Sequence, residues 1–261
     1  MSVWDCYEER ICTTGSTKRD RALKRTQEYI ARKVKDSLSF YSVMINGVSQ
    51  GLTITDTTED MAVKKIFSLP GEDIAHGGIV EFASSHWLIT EINPNNEVYT
   101  EGRMHRCNYL LKWIDDSGKV IEKWCVVEDG TKYLIGEKSS DLMSIGDARI
   151  AITLAKDEDT NKLNRGKRFL VDDLDSDRVL AYQITKPNKL YNVYNGNGVF
   201  RFILNEVNLT DDDNIELRIA DFFNWSKPNH DNGHKDKDKT LEEIIESATN
   251  KKDATEEGRW I

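Results

Sequence analysis

This sequence lacks the motifs by which a chain usually declares a chemical activity. It has no GxGxxG, no phosphate-binding loop, no HExxH and no catalytic-triad order, so nucleotide chemistry, zinc peptidase chemistry and triad hydrolysis have nothing to rest on. The four cysteines, Cys6, Cys12, Cys107 and Cys125, form no CxxC, which argues against a disulfide framework or a zinc knuckle and leaves free, partly buried thiols as the expectation. No stretch approaches the roughly 18 consecutive apolar residues needed to span a bilayer. The opening Met1-Ser2-Val3-Trp4-Asp5-Cys6 lacks the charged-then-apolar pattern of a signal peptide. The chain is therefore expected to be made in the cytosol, without a membrane partner.

What is present is a chain of 261 residues, 38% hydrophobic and 31% charged. That length favours about two domains and a core large enough to need no covalent staples. The polarity is somewhat high for a globular protein, and tails and hairpin tips are where it is expected to sit. The net charge of −9 argues against wholesale nucleic-acid binding, yet it is unevenly spread. Between residues 15 and 35, Lys18, Arg19, Arg21, Lys24, Arg25, Arg32, Lys33 and Lys35 face only Asp20 and Glu28, a local +6 in a chain whose remainder carries −15.

Local patterns divide the chain. Ser2 with Asp5, and Trp4, Tyr7 and Ile11 on one face, suggest a short first helix. Ser16 or Thr17 then caps a longer helix to about Asp36, with Ala22, Leu23, Thr26, Tyr29, Ile30 and Val34 as a narrow apolar stripe among cations. Beyond Phe40 the period becomes alternating, with strands expected at 40–45, 51–55, 63–67, 79–82, 86–92, 98–100, 107–114, 120–127 and 132–135. Asn93-Pro94-Asn95-Asn96 and Asp115-Asp116-Ser117-Gly118 mark tight reversals within one meander. A weak linker at 137–145 precedes a second β series at 147–155, 168–171, 180–185, 191–194, 199–207 and 215–221, in which Asn195-Gly196 is the strongest hairpin signal.

The fold expected is mainly β: N-terminal helices (1–38), two small antiparallel barrel or sandwich domains (39–138 and 139–225), and an extended polar tail with a short helix (226–261). In that tail Thr240 and Glu243 form a capping box, and Leu241, Ile244, Ile245, Trp260 and Ile261 are the apolar residues able to anchor it on a neighbour.

Candidate chemistry is thin. His105 and Cys107 share a strand face at i and i+2, and Cys125, His76 or His86 could join them around a metal, but the spacing is unspecific and buried structural roles are expected. The acidic runs 172–177 and 210–214 could offer oxygen ligands to calcium, yet neither has a known loop pattern, and solvated hairpin tips are the plainer reading. Phe82, Trp87, Trp113 and Trp124 could form a stacking platform for single-stranded nucleic acid, though core packing is commoner. No catalytic residue, metal or cofactor is expected. The basic helix stands apart: Lys18, Arg19, Arg21, Lys24, Arg25, Arg32 and Lys33 are the candidate partner-binding residues, facing acidic protein or DNA phosphate.

Several segments taken together resemble a known family. Met1-Ser2-Val3-Trp4-Asp5-Cys6-Tyr7-Glu8-Glu9-Arg10, Leu69-Pro70-Gly71-Glu72-Asp73-Ile74, Trp87-Leu88-Ile89-Thr90 and Cys107-Asn108-Tyr109-Leu110-Leu111-Lys112-Trp113 are similar to head-to-tail connector proteins of tailed bacteriophages that infect Firmicutes. So are Asp157-Glu158-Asp159-Thr160, Arg168-Phe169, Asp211-Asp212-Asp213-Asn214 and Ile219-Ala220-Asp221, and the resemblance spans Met1 to Trp225. It implies a non-enzymatic virion protein of the neck, assembled in the host cytoplasm, and the strand content implies the head-closure or stopper ring. The partners implied are further copies in a ring, a dodecamer or a hexamer, the portal or adaptor protein, the tail terminator or tail tube protein, and genomic DNA passing through the channel. The alternative from another class is a nucleic-acid-binding β-barrel with a basic helical arm.

Overall fold

A computed structural model describes residue 4 and residues 17–58, 60–93, 97–129, 149–172 and 178–226. The expected first helix, the strand at 132–135, the linker at 137–145 and the tail beyond Ser226 lie outside these residues, apart from Trp4. Among the described residues the protein is mainly β, with few helices, and it divides into two compact units. The first comprises residues 1–107 with 190–199, the second residues 108–189 with 200–261.

The first unit opens on helix α1 (Lys18–Lys33), continues through a 3-10 turn (Val34–Asp36) and enters a six-stranded antiparallel barrel. Its strands are β1 (Phe40–Ile45), β2 (Val48–Asp56), β3 (Val63–Ser68), β4 (Ile79–Phe82), β5 (Ser85–Asn93) and β6 (Glu101–Arg106). They run in the order β1-β2-β3-β6-β5-β4 and close where Met44 and Ile45 pair with Glu81 and Val80. Alternation sends Val43, Ile45, Leu52, Ile54, Ile66, Val80, Trp87, Ile89 and Met104 inward, joined by Ile74 from a loop, to make a continuous apolar core. Asn46 and Gly47, at φ 49° and 80°, supply the two positive-φ residues of the β1–β2 hairpin turn.

The expected strand at 98–100 is a bend, and the strand that follows it, β6, was not anticipated. Glu101-Gly102-Arg103-Met104-His105-Arg106 carries too little apolar material to signal a strand. It buries only Gly102 and Met104 on its inward face, while β3 and β5 hold it from both sides.

The second unit contains β7 (Tyr109–Ile114), β8 (Val120–Asp129), β9 (Arg149–Ala155), the one-turn helix α2 (Glu158–Asn161), β10 (Arg168–Asp172) and β11 (Val179–Asn188). A hairpin of β12 (Val193–Tyr194) and β13 (Asn197–Val207) follows, then a short helix α3 (Phe222–Ser226). The sheet order is β10-β11-β13-β9-β8-β7, with β12 beside β13. Leu111, Trp113, Ile121, Ile152, Leu154, Phe169, Tyr182, Phe200 and Phe202 are buried along these strands.

The single meander expected to run on through β7 and β8 instead stops at β6. Both strands pair into the second sheet, β7 with β8 and β8 with β9. Alternation specifies a strand and its inward face, but not which sheet receives it. The Asn195-Gly196 hairpin is present, with Tyr194 opposite Asn197 and φ values of 51° and 85°, and its residues 190–199 belong with the first unit. There Gly77 approaches the carbonyl of Gly198 so closely that a Cβ would sit 2.1 Å from the oxygen, at a φ of +81°. The expected strand at 215–221 is a turn-rich loop holding one isolated bridge, Asn214 to Ile219. Arg218 and Asp221 take positive φ there, which breaks any extended run.

Candidate functional site

Helix α1 begins where the sequence places its signal. Thr17 Oγ1 accepts from the Asp20 N–H and Asp20 Oδ2 accepts from the Thr17 N–H, each at 3.1 Å, a reciprocal capping box. Asp20 in the first turn and Arg32 and Lys33 in the last complement the helix dipole. None of its 16 residues is buried. Leu23, Gln27, Ile30 and Ala31 form the half-buried side, and Lys18, Ala22, Arg25, Tyr29, Arg32 and Lys33 are exposed.

Two contacts to one residue hold the helix to the β5–β6 connection. Arg19 donates to both carboxylate oxygens of Glu97, at 2.9 and 2.8 Å, and Gln27 Nε2 donates to the Glu97 carbonyl at 2.9 Å. The hydrogen bond to Glu97 raises the guanidinium pKa of Arg19 above its ordinary value. Arg19 is thus spent on positioning, whereas Lys18, Arg25 and Arg32, spaced by seven residues, lie along one outward line of about 21 Å with exposed Tyr29 beside it. Arg21 is half-buried and its Nε donates to the Thr17 carbonyl at 3.3 Å. Sequence reasoning found the cations but not Glu97, which falls between the expected reversal at 93–96 and the expected strand at 98–100.

The other candidates are absorbed by the fold. Burial pushes the Cys107 thiol up to about 12, and the buried Cys125 Sγ donates to the Tyr109 carbonyl. No group of three or more metal-ligating side chains occurs among the described residues. Trp87 lies inside the first barrel and Trp113 inside the second unit, where it meets Phe169 edge-on, so the aromatic residues do not make one platform.

The acidic run 210–214 is a clamp instead of a calcium loop. Arg168 Nη1 donates to Thr210 Oγ1, Asp213 Oδ1 and Asp221 Oδ1 at 2.9, 2.9 and 2.7 Å, and Nη2 donates to the Asn208 carbonyl and Asp213 Oδ2 at 2.9 and 2.8 Å. Burial alone would raise the Asp213 carboxyl. The Arg168 hydrogen bond and the N–H groups of Asp221 and Thr210 outweigh it and hold the carboxyl below the usual range. The clamped loop leaves Leu209 and Ile215 exposed at 44% and 49%, beside exposed Asp211 and Glu216. Of the other acidic run, Asp172 pairs with Arg218, and 173–177 lie outside the described residues, as do the proposed anchors Leu241, Ile244, Ile245, Trp260 and Ile261.

Residues 9–106 match the family model described as the YomX N-terminal domain, a phage-type family, and this points to a phage protein. The matched stretch runs through α1 and all six strands of the first barrel. No curated protein matches the chain. Among solved structures, MrkH, described as a c-di-GMP-dependent transcription regulatory factor, is 10% identical. It aligns over 73% of this chain and 84% of its own, with a TM-score of 0.24. At that score the likeness carries no argument.

Proposed function

We propose that this chain is a structural phage protein of the head–tail connector, acting by assembly and not by catalysis. The observation that carries the reading is α1: a basic helix that buries none of its residues and is held on a closed barrel through Glu97, so that Lys18, Arg25 and Arg32 face outward. A helix this exposed gains little stability from its own barrel, and a partner surface is the natural place for its remaining face. Within this proposal the chain sits in the neck of the virion as a head-closure ring, next to the portal or adaptor protein on one side and the tail terminator or tail tube on the other. The net charge of −9 suits a channel past which DNA must slide without sticking.

The experiment is to label the chain in purified particles and locate it by electron microscopy, alongside a phage in which Arg21, Lys24 and Arg25 are each changed to Glu. Density at the neck and filled heads without tails in the variant are expected. Normal tail joining, or absence of the chain from virions, would remove the proposal. The basic face also favours a second reading, a nucleic-acid arm. It would show as duplex binding whose log–log salt slope drops by about 0.9 per removed phosphate contact.

A further inference from the structure

We propose that the outward line of α1 docks on the 209–216 loop of a second copy of this chain, a head-to-tail contact that repeats from copy to copy. This rests on the reading of the chain as an assembly protein and names the partner of that same helix. Two observations meet in it. Lys18, Arg25, Tyr29 and Arg32 form an exposed cationic line with one aromatic ring, Tyr29 being 64% exposed. In the second unit, the loop clamped by Arg168 holds out the complement, Asp211 and Glu216 with the apolar Leu209 and Ile215 between and beside them.

The loop is fixed before it meets anything. Beyond the Arg168 bonds, the Leu217 N–H donates to Asn214 Oδ1, and Ile219, Ala220 and Phe222 are buried beneath it. Ordering entropy is therefore already spent, which favours binding by a surface that is exposed but rigid. Charge decides the occupant. The helix segment carries +6 and the remainder of the same chain −15, so a second copy brings the opposite field, whereas DNA would meet a molecule of net −9. The two faces are different, so the contact is heterologous and propagates into a closed ring or an open filament.

Sedimentation velocity on the full chain tests this. The wild type is expected to associate at about 0.05 M salt and to weaken at least about tenfold by 0.5 M, as screening shortens the reach of the charges. Arg25→Glu with Arg32→Glu should abolish association, and so should Asp211→Lys with Glu216→Lys, each variant now opposing like charges. Mixed together, the two variants should assemble again, because the reversed helix meets the reversed loop and the two untouched faces still match. Arg25→Gln with Arg32→Gln, which adds no repulsion, should weaken association if the double reversal perturbs folding by circular dichroism.

A wild type monomeric at about 0.1 mM and low salt, variants that associate normally, or a mixture that stays dissociated would each overturn the contact. So would capture of a labelled DNA duplex by the same residues in place of self-association. A monomeric chain that is still found in virion necks would overturn this contact while leaving the connector role standing.

Discussion

In the first unit every strand from β1 round to β4 has a backbone-paired neighbour on both sides, whereas the second sheet ends in two strands, β7 and β10, that meet through side chains. Tyr109 Oη accepts from the Asp172 N–H at 3.3 Å and donates to the Leu170 carbonyl at 3.4 Å, and Lys167 Nζ donates to the Ile114 carbonyl at 2.9 Å. The second unit has an apolar core of its own and also keeps its 208–222 loop in place by ions around the largely buried Arg168, whereas in the first the pairs Arg19–Glu97, Lys64–Asp56 and Arg103–Glu91 each leave the carboxylate exposed. Backbone pairing and apolar burial depend little on protonation or salt. Charge clamps depend on both. The second unit is thus the one that solution conditions can loosen.

The largest difference between the two units is expected in Arg168→Ala. Removing one partner of a buried pair strands the other, which typically costs about 3–5 kcal/mol. Hydrogen exchange is expected to collapse over 168–172 and 208–222 and to persist over the barrel strands 43–106. Equal loss in both would show that the units unfold together.

Acid should separate the units next. Burial alone would raise each of Asp115, Asp157 and Asp213, all in the second unit, but hydrogen bonds from Ser117, from Lys123 and from Arg168 respectively outweigh it and hold their pKa values below the ordinary one. A depressed carboxyl contributes stability that is full above its unfolded pKa of about 4 and is lost as pH falls through the folded value. The second unit should therefore melt progressively earlier below about pH 4. A steeper loss in the first unit over the same range would contradict this.

Gly77→Ala probes a close backbone approach in the first unit. The new methyl would meet the Gly198 carbonyl at 2.1 Å at a positive φ, and together strain and crowding typically cost about 1–3 kcal/mol. Displacement of the 190–199 hairpin is expected, visible as loss of the stacking between His76 and Tyr194, whose rings are 5.9 Å apart.

These contrasts were unequally legible in the sequence. Helix caps and two-residue turns involve neighbours in the chain, so a cap at Ser16 or Thr17 and the turn at Asn195 with Gly196 announce themselves, and only the Asp20 half of the capping box is added by the structure. The mainly β class follows equally directly from alternation. Arg168 with Asp213 and Asp221, Arg19 with Glu97, and Tyr109 with Leu170 join residues far apart in sequence, and nothing local in an arginine says which carboxylate it will meet. The acidic run 210–214 looked like a solvated tip because the arginine inside it lies some forty residues earlier.

Tyr109→Phe sharpens the seam itself. Burial pushes the Tyr109 hydroxyl up to about 12, so it stays protonated and able to bridge. Its two bonds are long, and a neutral hydrogen bond is worth about 1 kcal/mol net. The melting midpoint should fall by a few degrees, about the shift that 1 kcal/mol gives in a domain of this size, with faster exchange at the Asp172 amide. An unchanged amide would mean that packing between Trp113 and Phe169 closes the seam unaided.

The smallest effect is expected at the tether of α1. Arg19 and Glu97 are largely exposed, and an exposed pair offsets its modest attraction with the entropy of holding two long side chains together. Arg19→Met should leave the thermal midpoint of the first unit unchanged within error. The helix nevertheless relies on this contact and on Gln27 for its orientation, since none of its residues is buried. Amide exchange across 21–33 should therefore quicken while the barrel strands keep their protection, and the difference from wild type should vanish at high salt, where the pair is already screened. If exchange in the helix is unaltered, its half-buried side, with Leu23 and Ile30, is enough to hold it. The outward line would then be presented by apolar contact and not by the Glu97 tether.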